Sequence, residues 1–241
     1  MRVSVVIPAL NEQATVAGVV AAALADGPDE VLVIDADSVD ATAAEAARAG
    51  ATVCNWRDIL PDIPPRPGKG ESLWRGVAAA TGDVVVFLDA DLEQPAPGMV
   101  TALAAPFDEA GVHLVKADYR RTLNGQPTGG GRVTELTAKP LLRLLHPELA
   151  HINQPLAGEY AIRRATALRL PFAAGYGVEA GLLIDVARLH GPTSIRQVDL
   201  GVRRHRNRPL AELAPMADVV AATVLGRGVE KRPALSDILQ P

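Results

Sequence analysis

The chain has 241 residues, of which 48% are hydrophobic, and its formal net charge is -4 at pH 7. This length and composition predict one α/β domain with a sizeable core, and the acidic balance argues against a general affinity for nucleic acid or an anionic membrane. The single cysteine, Cys54, argues against a disulfide framework and a cysteine-based zinc site, so we expect a cytoplasmic protein.

Strand-like and helix-like stretches alternate through the first ~100 residues. Strands are predicted at 3–7, 30–34 and 51–54, and helices at 15–24 and 41–49. The first helix is too short and too rich in alanine to cross a bilayer, and we expect no signal peptide before the first strand. The alternation predicts right-handed βαβ units, a parallel sheet and a nucleotide-binding type of half-domain.

Residues 83–91 form the stretch around which we expect the sheet to be organised. The apolar run 84–88 predicts a strand buried on both faces, with Asp89 and Asp91 at its carboxyl end. Ligands of open α/β sheets bind at that end, and two carboxylates there suit a divalent cation that also touches phosphate oxygens. The alternative is that two acidic residues merely begin a solvated loop.

The common phosphate-binding loops are missing from this half. No Gly-x-Gly-x-x-Gly follows the first strand, and residues 67–72 have the wrong spacing for a Walker loop. The remaining candidate is the pair Gly68 and Lys69, where the backbone turns closely and an ammonium is available to phosphate. The alternative is a solvated lysine in a loop.

Several motifs together carry a resemblance to a known family. They are SVVIPALNE at 4–12, Asp35 after the second strand, GD at 82–83 with DAD at 89–91, RPGKGE at 66–71, TGGGRVTE at 128–135, QPLAGEY at 154–160, PFAAGYGVE at 171–179 and GVRRHRNRP at 201–209. This combination resembles the glucosyl-3-phosphoglycerate synthases of actinobacterial type. These are retaining glycosyltransferases with a GT-A nucleotide-sugar half that is close to the large inverting family 2 group.

The resemblance implies an α/β GT-A glycosyltransferase fold with a mainly parallel, Rossmann-like sheet flanked by helices. It implies one domain over 1–241, with a nucleotide-sugar-binding half at 1–100, an acceptor-binding half at 101–225 and a tail at 226–241. The implied reaction moves glucose from UDP-glucose to the 2-hydroxyl of 3-phosphoglycerate with retention. Mg2+, or Mn2+, is the implied cofactor, and we expect a homodimer without nucleic-acid or membrane partners.

The resemblance also assigns roles to individual residues. The donor nucleotide would be bound by Pro8, Ala9, Leu10, Asn11, Glu12, Asp37, Gly68, Lys69, Asp89, Ala90 and Asp91. The metal would be held by Asp91 and His205, and the acceptor by Gly131, Arg132, Thr134, Tyr176 and Asn207. The catalytic group would consist of Glu179, Lys69 and Leu156, the last through its backbone carbonyl beneath the sugar.

Elementary chemistry supports these assignments. A departing nucleoside diphosphate needs cations and fixed donors around its oxygens, and an acceptor with a carboxylate and a phosphate needs forked or backbone donors. Arg132 follows three glycines whose N–H groups can form an anion-binding nest. The alternatives are a flexible glycine linker and, for residues 203–208, a solvated arginine face. Glu159 has an alternative role as a buried acid that pairs one of these arginines.

Mechanism and substrate stay open at this stage. Glu179 could act as a base or as a nucleophile, and the resemblance favours attack from the leaving-group face without a covalent intermediate. Asp37 stands where relatives have a small residue, and the loop 122–128 is shorter than in relatives. The alternative functions are a mannosyl-3-phosphoglycerate synthase using GDP-mannose, another GT-A transferase, a nucleotidyltransferase and a non-catalytic sugar-nucleotide-binding protein.

Overall fold

A computed structural model describes residues 1–122, 131–204, 210–226 and 228–239. Within these residues, a seven-stranded sheet has the strand order β3-β2-β1-β4-β6-β5-β8. Its strands are β1 (Val3–Ala9), β2 (Glu30–Asp35), β3 (Thr52–Asn55), β4 (Val84–Phe87), β5 (Leu114–Thr122), β6 (Tyr160–Arg163) and β8 (Ile195–Arg204). A two-stranded antiparallel sheet is formed by β7 (Phe172–Ala173) and β9 (Lys231–Arg232).

Helices pack on both sides of the large sheet. The α-helices are α1 (Val16–Ala25), α2 (Thr42–Arg48), α3 (Lys69–Ala79), α4 (Met99–Ala104), α5 (Lys139–Leu145), α6 (Arg164–Ala167), α7 (Val178–His190) and α8 (Leu210–Leu225). Short 3-10 helices lie at Ala105–Asp108, Pro147–Leu149, Gly175–Gly177, Pro192–Ser194 and Leu235–Asp237, and a π-helix lies at Thr134–Ala138. None of the helices described here has the length and apolarity needed to traverse a membrane.

The large sheet is mainly parallel, as predicted, but β6 runs against both of its neighbours. β1 pairs in parallel with β2 and β4, and β2 with β3. β6 is antiparallel to β4 and to β5, whereas β5 and β8 are parallel. The predicted first three strands and the run after Asp83 are confirmed to within two residues at each end.

Two hydrophobic clusters cover the two faces of the sheet. Because successive side chains of a strand point to opposite faces, Val85 and Phe87 join one cluster while Val84 and Val86 join the other. The first cluster includes buried side chains of α3 and α7, and the second includes those of α1 and α4. Burial on both faces explains why β4 is a continuous apolar run.

The first turn of α3 is fixed by buried charges. Glu71 is 3% exposed, and its carboxylate accepts hydrogen bonds from Arg75 Nε at 2.7 Å and from Arg232 Nε at 2.6 Å. Arg75 also donates to the backbone carbonyls of Trp56, at 2.9 Å, and of Ile59. The strand β9 and the loop before α3 therefore converge on the start of this helix.

Candidate active site

The start of α3 lies close to the start of α7 because two glycines allow it. Gly68 has a φ of 124°, and a Cβ there would lie 2.7 Å from the backbone nitrogen of Gly175. A Cβ on Gly70 would overlap the carbonyl oxygen of Ala173. The glycines are therefore required for close approach of two backbone segments.

Lys69 is the first residue of α3, and its ammonium bridges two carboxylates. Its Nζ lies 2.5 Å from Asp89 Oδ1 and 2.7 Å from Glu179 Oε1. Burial alone would lower the pKa of Lys69, but the charges of Asp89 and Glu179 hold that pKa well above its ordinary value. The alternative of a solvated lysine in a loop is wrong, because Lys69 begins a helix and is ion-paired. The structure does bring these three predicted residues together.

Arg203, near the end of β8, faces the same carboxylates. Its Nη1 lies 2.6 Å from Glu159 Oε1, and its Nη2 lies 3.7 Å from Asp89 Oδ2 and 3.8 Å from Asp91 Oδ1. The guanidinium also lies 5.5 Å from the ring centre of Tyr119. Glu159 is thus the buried acid that pairs an arginine, which confirms the alternative given for it. The sequence indicated a basic run at 203–208 without singling out Arg203.

Burial and charge pull the carboxyl groups of this cluster in different directions. Burial would raise the pKa of Asp89, but Lys69 and Arg203 outweigh burial and lower it. Burial raises the pKa of Glu159, and the charge of Arg203 offsets that effect only in part. The ordinary state of this cluster therefore has Asp89 ionised, with Lys69 and Arg203 both positively charged.

Lys116 and Tyr160 complete the cluster, and sequence analysis missed both roles. Lys116 is 1% exposed, donates to the Ala157 carbonyl at 2.7 Å and lies 4.4 Å from the ring centre of Tyr160. Burial lowers the pKa of Lys116 to about 8, although Glu179 works in the opposite direction. Burial and the neighbouring Glu179 raise the pKa of the Tyr160 hydroxyl well above its ordinary value. The signal in the sequence was a lone lysine between apolar residues of a strand.

The turn after β1 is fastened to the loop after β2. Asn11 has a φ of 57°, its N–H donates to Ser38 Oγ at 3.0 Å, and its side-chain oxygen accepts from the N–H of Val39 at 2.9 Å. The N–H of Glu12 donates to Thr42 Oγ1 at 2.7 Å. The remaining predicted donor contacts of this turn are Pro8 and Ala9 in β1 and the exposed Leu10. The turn is therefore held in shape by its own chain.

Asp37 lies at this turn in a charged pair that is open to solvent. Its Oδ2 lies 2.6 Å from Arg57 Nη2, and Asn55 Nδ2 donates to its Oδ1 at 3.1 Å. The hydrogen bond from Arg57, followed by that from Asn55, lowers the pKa of Asp37 to about 2. Asp37 has a φ of 64°. The carboxylate is thus fully ionised at neutral pH and already paired within the chain.

Three of the predicted acceptor residues, Gly131, Arg132 and Thr134, flank Val133, which belongs to a small third cluster. Val133 packs with Ala138 and Val220, and Leu156 packs against this cluster. Leu156 is therefore near the segment that carries Gly131, Arg132 and Thr134. Gly131 has a φ of 71°, Thr134 is buried, and Tyr176 is 45% exposed. Asn207, with Gly129 and Gly130 of the triple glycine, lies outside the described residues.

The segment 154–159 joins this cluster to the carboxylates. The N–H of Ala157 donates to the carbonyl of Gln154 at 3.1 Å, which closes a turn. Gly158 packs so tightly on Asp89 that a Cβ would overlap its carboxylate. Ala90, also predicted at the donor, is buried beside Asp89. Leu156, Gly158 and Asp89 thus follow one another along the floor of the site.

Asp91 is partly exposed at this edge, and its predicted metal partner His205 lies outside the described residues. The Asp91 side chain is 32% exposed. Within the described ranges, no group of three or more His, Cys, Asp or Glu side chains is arranged to hold a metal. One accessible carboxylate fits a hard cation that takes its other ligands from phosphate oxygens and from a further side chain.

Carboxylates and cations thus gather at the carboxyl edge of a mainly parallel sheet, which is the edge where ligands of open α/β sheets bind. The sequence profile of Glycosyl transferase family 2 matches residues 4–167. Glucosyl-3-phosphoglycerate synthase of Mycolicibacterium paratuberculosis is 52% identical over 236 residues, which cover 93% of this chain and 72% of the relative. The synthase of Petrotoga mobilis is 43% identical and is matched over 94% of this chain and 73% of its own.

Solved structures agree with these relatives. The glucosyl-3-phosphoglycerate synthase of Mycobacterium tuberculosis, crystallised with Mn2+, UDP-glucose and phosphoglyceric acid, superposes with a TM-score of 0.91. Its sequence identity is 44%, and the match covers 98% of this chain and 91% of that one. The chain therefore belongs to glycosyl transferase family 2 and, within it, to the glucosyl-3-phosphoglycerate synthases. The predicted α/β GT-A fold is confirmed.

Proposed function

We propose that this protein transfers glucose from UDP-glucose to 3-phosphoglycerate and releases glucosyl-3-phosphoglycerate and UDP. The observation that carries the proposal is the bridge from Lys69 to Asp89 and Glu179, formed at the carboxyl edge of the sheet in a chain of this family. An ammonium fixed there is suited to the negative charge that develops on a departing diphosphate.

The donor sugar would lie between Glu179 and the segment 154–159. Glu179 is 4% exposed and already ionically engaged with Lys69, so its proposed role is to hold the sugar hydroxyls. The Leu156 carbonyl would face the positive charge that develops on the anomeric carbon. We propose retention by attack of the acceptor 2-hydroxyl from the leaving-group side, with the hydroxyl proton passing to a diphosphate oxygen. Positioning and charge then account for the rate.

The acceptor would lie against the segment that begins at Gly131. Its phosphate and carboxylate call for donors, which Arg132, Thr134 and Asn207 provide. Packing of Leu156 on the Val133 cluster supports the arrangement, because it brings this segment next to the floor of the sugar site. Tyr176, exposed in the 3-10 helix before α7, is proposed to border the same pocket.

We propose Mg2+ as the metal, held by Asp91 and His205. Bound there, it would add positive charge at the diphosphate oxygens. Replacing Asp91 by Ala should reduce Mn2+ binding, measured by electron paramagnetic resonance, and should abolish metal-dependent turnover. Asp62→Ala, at an exposed loop position, is the matched control. Unchanged Mn2+ binding in the Asp91 variant would remove this residue from the metal site.

The decisive experiment compares UDP-glucose with GDP-mannose, each with and without 3-phosphoglycerate, in Mg2+ and in EDTA. We expect UDP release that depends on the acceptor and on Mg2+, and an α-linked glucosyl product by NMR. Mannosyl transfer from GDP-mannose at a higher kcat/KM would make the protein a mannosyl-3-phosphoglycerate synthase instead. Nucleotide release at the same rate with and without 3-phosphoglycerate would reject this compound as the acceptor. It would also reject the roles given to Arg132, Thr134 and Asn207.

We also propose that the protein acts as a homodimer. Three leucines on the π-helix and α5 are largely exposed, Leu136 by 76%, Leu144 by 77% and Leu145 by 47%, and covering them would be favourable. Analytical ultracentrifugation of the wild type and of a Leu136→Glu, Leu144→Glu variant tests this. A monomeric wild type at micromolar concentration would reject the dimer.

A further inference from the structure

Lys116 is a charged side chain in the interior, on the face of the sheet that also carries Phe87 and Tyr160. It follows Leu114 and Val115 in β5, which are both fully buried, and it is itself 1% exposed. Lysine is rarely buried in this way, because desolvating an ammonium costs free energy. Packing therefore gives no reason for lysine here, where a leucine or methionine would fill similar space.

The contacts of Lys116 point to a purpose other than filling space. Its Nζ donates to the carbonyl oxygen of Ala157 at 2.7 Å. One side of the ammonium faces the Tyr160 ring, whose centre lies 4.4 Å away, and this cation–π contact compensates part of the desolvation. The two contacts orient the ammonium toward the backbone of the segment 154–159.

That segment is the floor of the candidate site and is fastened at several points. The side chain of Gln154 donates to the carbonyl of Tyr119 at 3.1 Å, and the N–H of Ala117 donates to the carbonyl of Glu159 at 3.1 Å. Lys116 holds the middle, at Ala157. The next residue, Gly158, touches the Asp89 carboxylate without room for a Cβ. A shift of Ala157 must therefore move either Gly158 or Asp89.

We propose that Lys116 is a positioning residue for glucosyl transfer, which holds the Ala157 carbonyl and thereby fixes the Leu156 carbonyl and the Asp89 carboxylate relative to each other. The proposal rests on the proposed function, since it gives Leu156 and Asp89 their places beside the sugar and the diphosphate. This role affects catalysis as well as folding, because the Leu156 carbonyl and the Asp89 carboxylate must keep their separation while charge develops between them. Small displacements at such groups are costly to rate.

The ammonium also sets the charge of the cluster. Asp89, Glu159 and Glu179 all favour the charged form of Lys116, whereas burial and Lys69 oppose it. Without the Lys116 charge, the repulsion among the acids around the sugar site would be less compensated. Both effects should act more on the transition state than on the bound substrates, because charge develops between Leu156 and Asp89 only during transfer.

The first test replaces Lys116 by Met, which keeps the length and removes the charge and the donors. We expect kcat to fall ~100-fold, while KM for UDP-glucose and for 3-phosphoglycerate changes less than ~3-fold. Lys116→Arg should recover at least ~10-fold of the loss, because it retains both charge and donors. Lys231→Met, which removes a half-exposed lysine from β9, is the matched control and should match the wild type.

Kinetic constants should be normalised to the folded fraction, measured by UDP binding and circular dichroism. A folded Lys116→Met variant with kcat within ~3-fold of wild type would overturn the proposal, as would a loss confined to KM. In the absence of acceptor, hydrolysis of UDP-glucose should show the same fall in kcat with little change in KM. If the wild type catalyses only this hydrolysis, the acceptor of the proposed function is wrong, but the kcat of hydrolysis still tests the role of Lys116.

A second variant acts on the other side of the same contact. Gly158→Ala leaves Lys116 in place but forces a methyl group against the Asp89 carboxylate. If the segment must keep its place on Asp89, this variant should also lose ~100-fold in kcat with little change in KM. Wild-type kcat in folded Gly158→Ala would overturn the proposal even if Lys116→Met failed to fold.

Discussion

Two carboxylate–cation pairs lie at the same edge of the sheet, and they differ chiefly in burial. Asp89, after β4, meets Lys69 at 2.5 Å with both side chains about one-fifth exposed. Asp37, after β2, meets Arg57 at 2.6 Å, but the two side chains are 36% and 62% exposed. Their distances are nearly equal, so distance cannot distinguish their importance.

The surroundings of an ion pair, rather than its length, decide what the pair contributes. Water screens the Asp37 pair, and an exposed pair contributes little to stability. The Asp89 pair sits among Glu159, Glu179 and Arg203, where charges interact strongly and where removing one partner leaves another buried without compensation. Changes in the buried group should therefore alter catalysis, and changes in the exposed pair should barely be noticed.

The largest effect is expected from Lys69→Met. Removing this ammonium leaves Asp89 and Glu179 facing each other and takes a cation away from the departing diphosphate, so kcat should fall by about 10²–10³. Steady-state kinetics with UDP-glucose and 3-phosphoglycerate measures it, and circular dichroism checks the fold. Near-wild-type kcat would show that the bridge from Lys69 is structural, and burial of the ion pair would then not indicate a role in catalysis.

Arg132→Ala tests a charge outside the buried group. Because a guanidinium bonded to an anionic acceptor contributes binding free energy, KM for 3-phosphoglycerate should rise ~10–100-fold, while KM for UDP-glucose stays within ~2-fold. Initial rates with each substrate varied in turn measure both constants. Equal increases in the two KM values would argue against an acceptor role and would place Arg132 in the general scaffold.

The pH dependence of turnover tests the charge of Lys116 in the buried group. The pKa of Lys116, lowered by burial, is about 8, so its charge is present below that pH and lost above it. Turnover should decline as pH rises through about 8. Lys116→Arg should move this decline upward, since arginine stays protonated.

Stability should move in the opposite direction over the same range. The folded pKa of Lys116 lies below the ordinary value of 10.5, so between about 8 and 10.5 the unfolded chain binds more protons. The contribution of this group to the free energy of unfolding therefore increases with pH. Urea denaturation at pH 7.5 and 9.5, in the wild type and in Lys116→Met, isolates the contribution of Lys116 to the free energy of unfolding.

For turnover, a decline with pH that is unchanged in Lys116→Arg would show that another group titrates.

The smallest effect is expected from Asp37→Asn. KM for UDP-glucose should stay within ~2-fold, because the exposed pair is replaced by solvent contacts at little cost. The lowered pKa of Asp37 means that its stabilising effect is present above 3.8 and is lost as pH falls toward about 2. The small difference in melting temperature should therefore shrink over that range. A tenfold rise in KM would place the pair in direct contact with the base.

Short-range patterns predicted much of the fold and part of the site. β1, β2 and β4 followed from apolar runs, and Asp89 followed from its place after one of them. Lys69 was identified, but its helix was not, because Gly68 and Gly70 resemble loop residues. Their actual requirement is the close approach to residues 173–175, about 100 positions further along the chain.

The roles of Lys116 and Tyr160 depended on pairing that local patterns do not contain. β5 pairs with β6 in an antiparallel register in which Lys116 faces Tyr160, 44 residues later. A lysine in a strand points to one face or the other according to register, and a shift of one residue would turn it into the second hydrophobic cluster, away from Tyr160. The ion pair of Arg203 could not be predicted from local patterns either, because its partner Glu159 lies 44 residues before it.

The hydrogen bonds of Arg232 have a consequence for the order in which the protein is completed during synthesis. Arg232 binds Glu71 across 161 residues and also holds the carbonyl of Pro64. A growing chain on the ribosome that has not yet released β9 carries a Glu71 without this partner, at the first turn of the helix that starts with Lys69. The first turn of this helix therefore gains its full set of buried partners only after residues 231–232 have emerged.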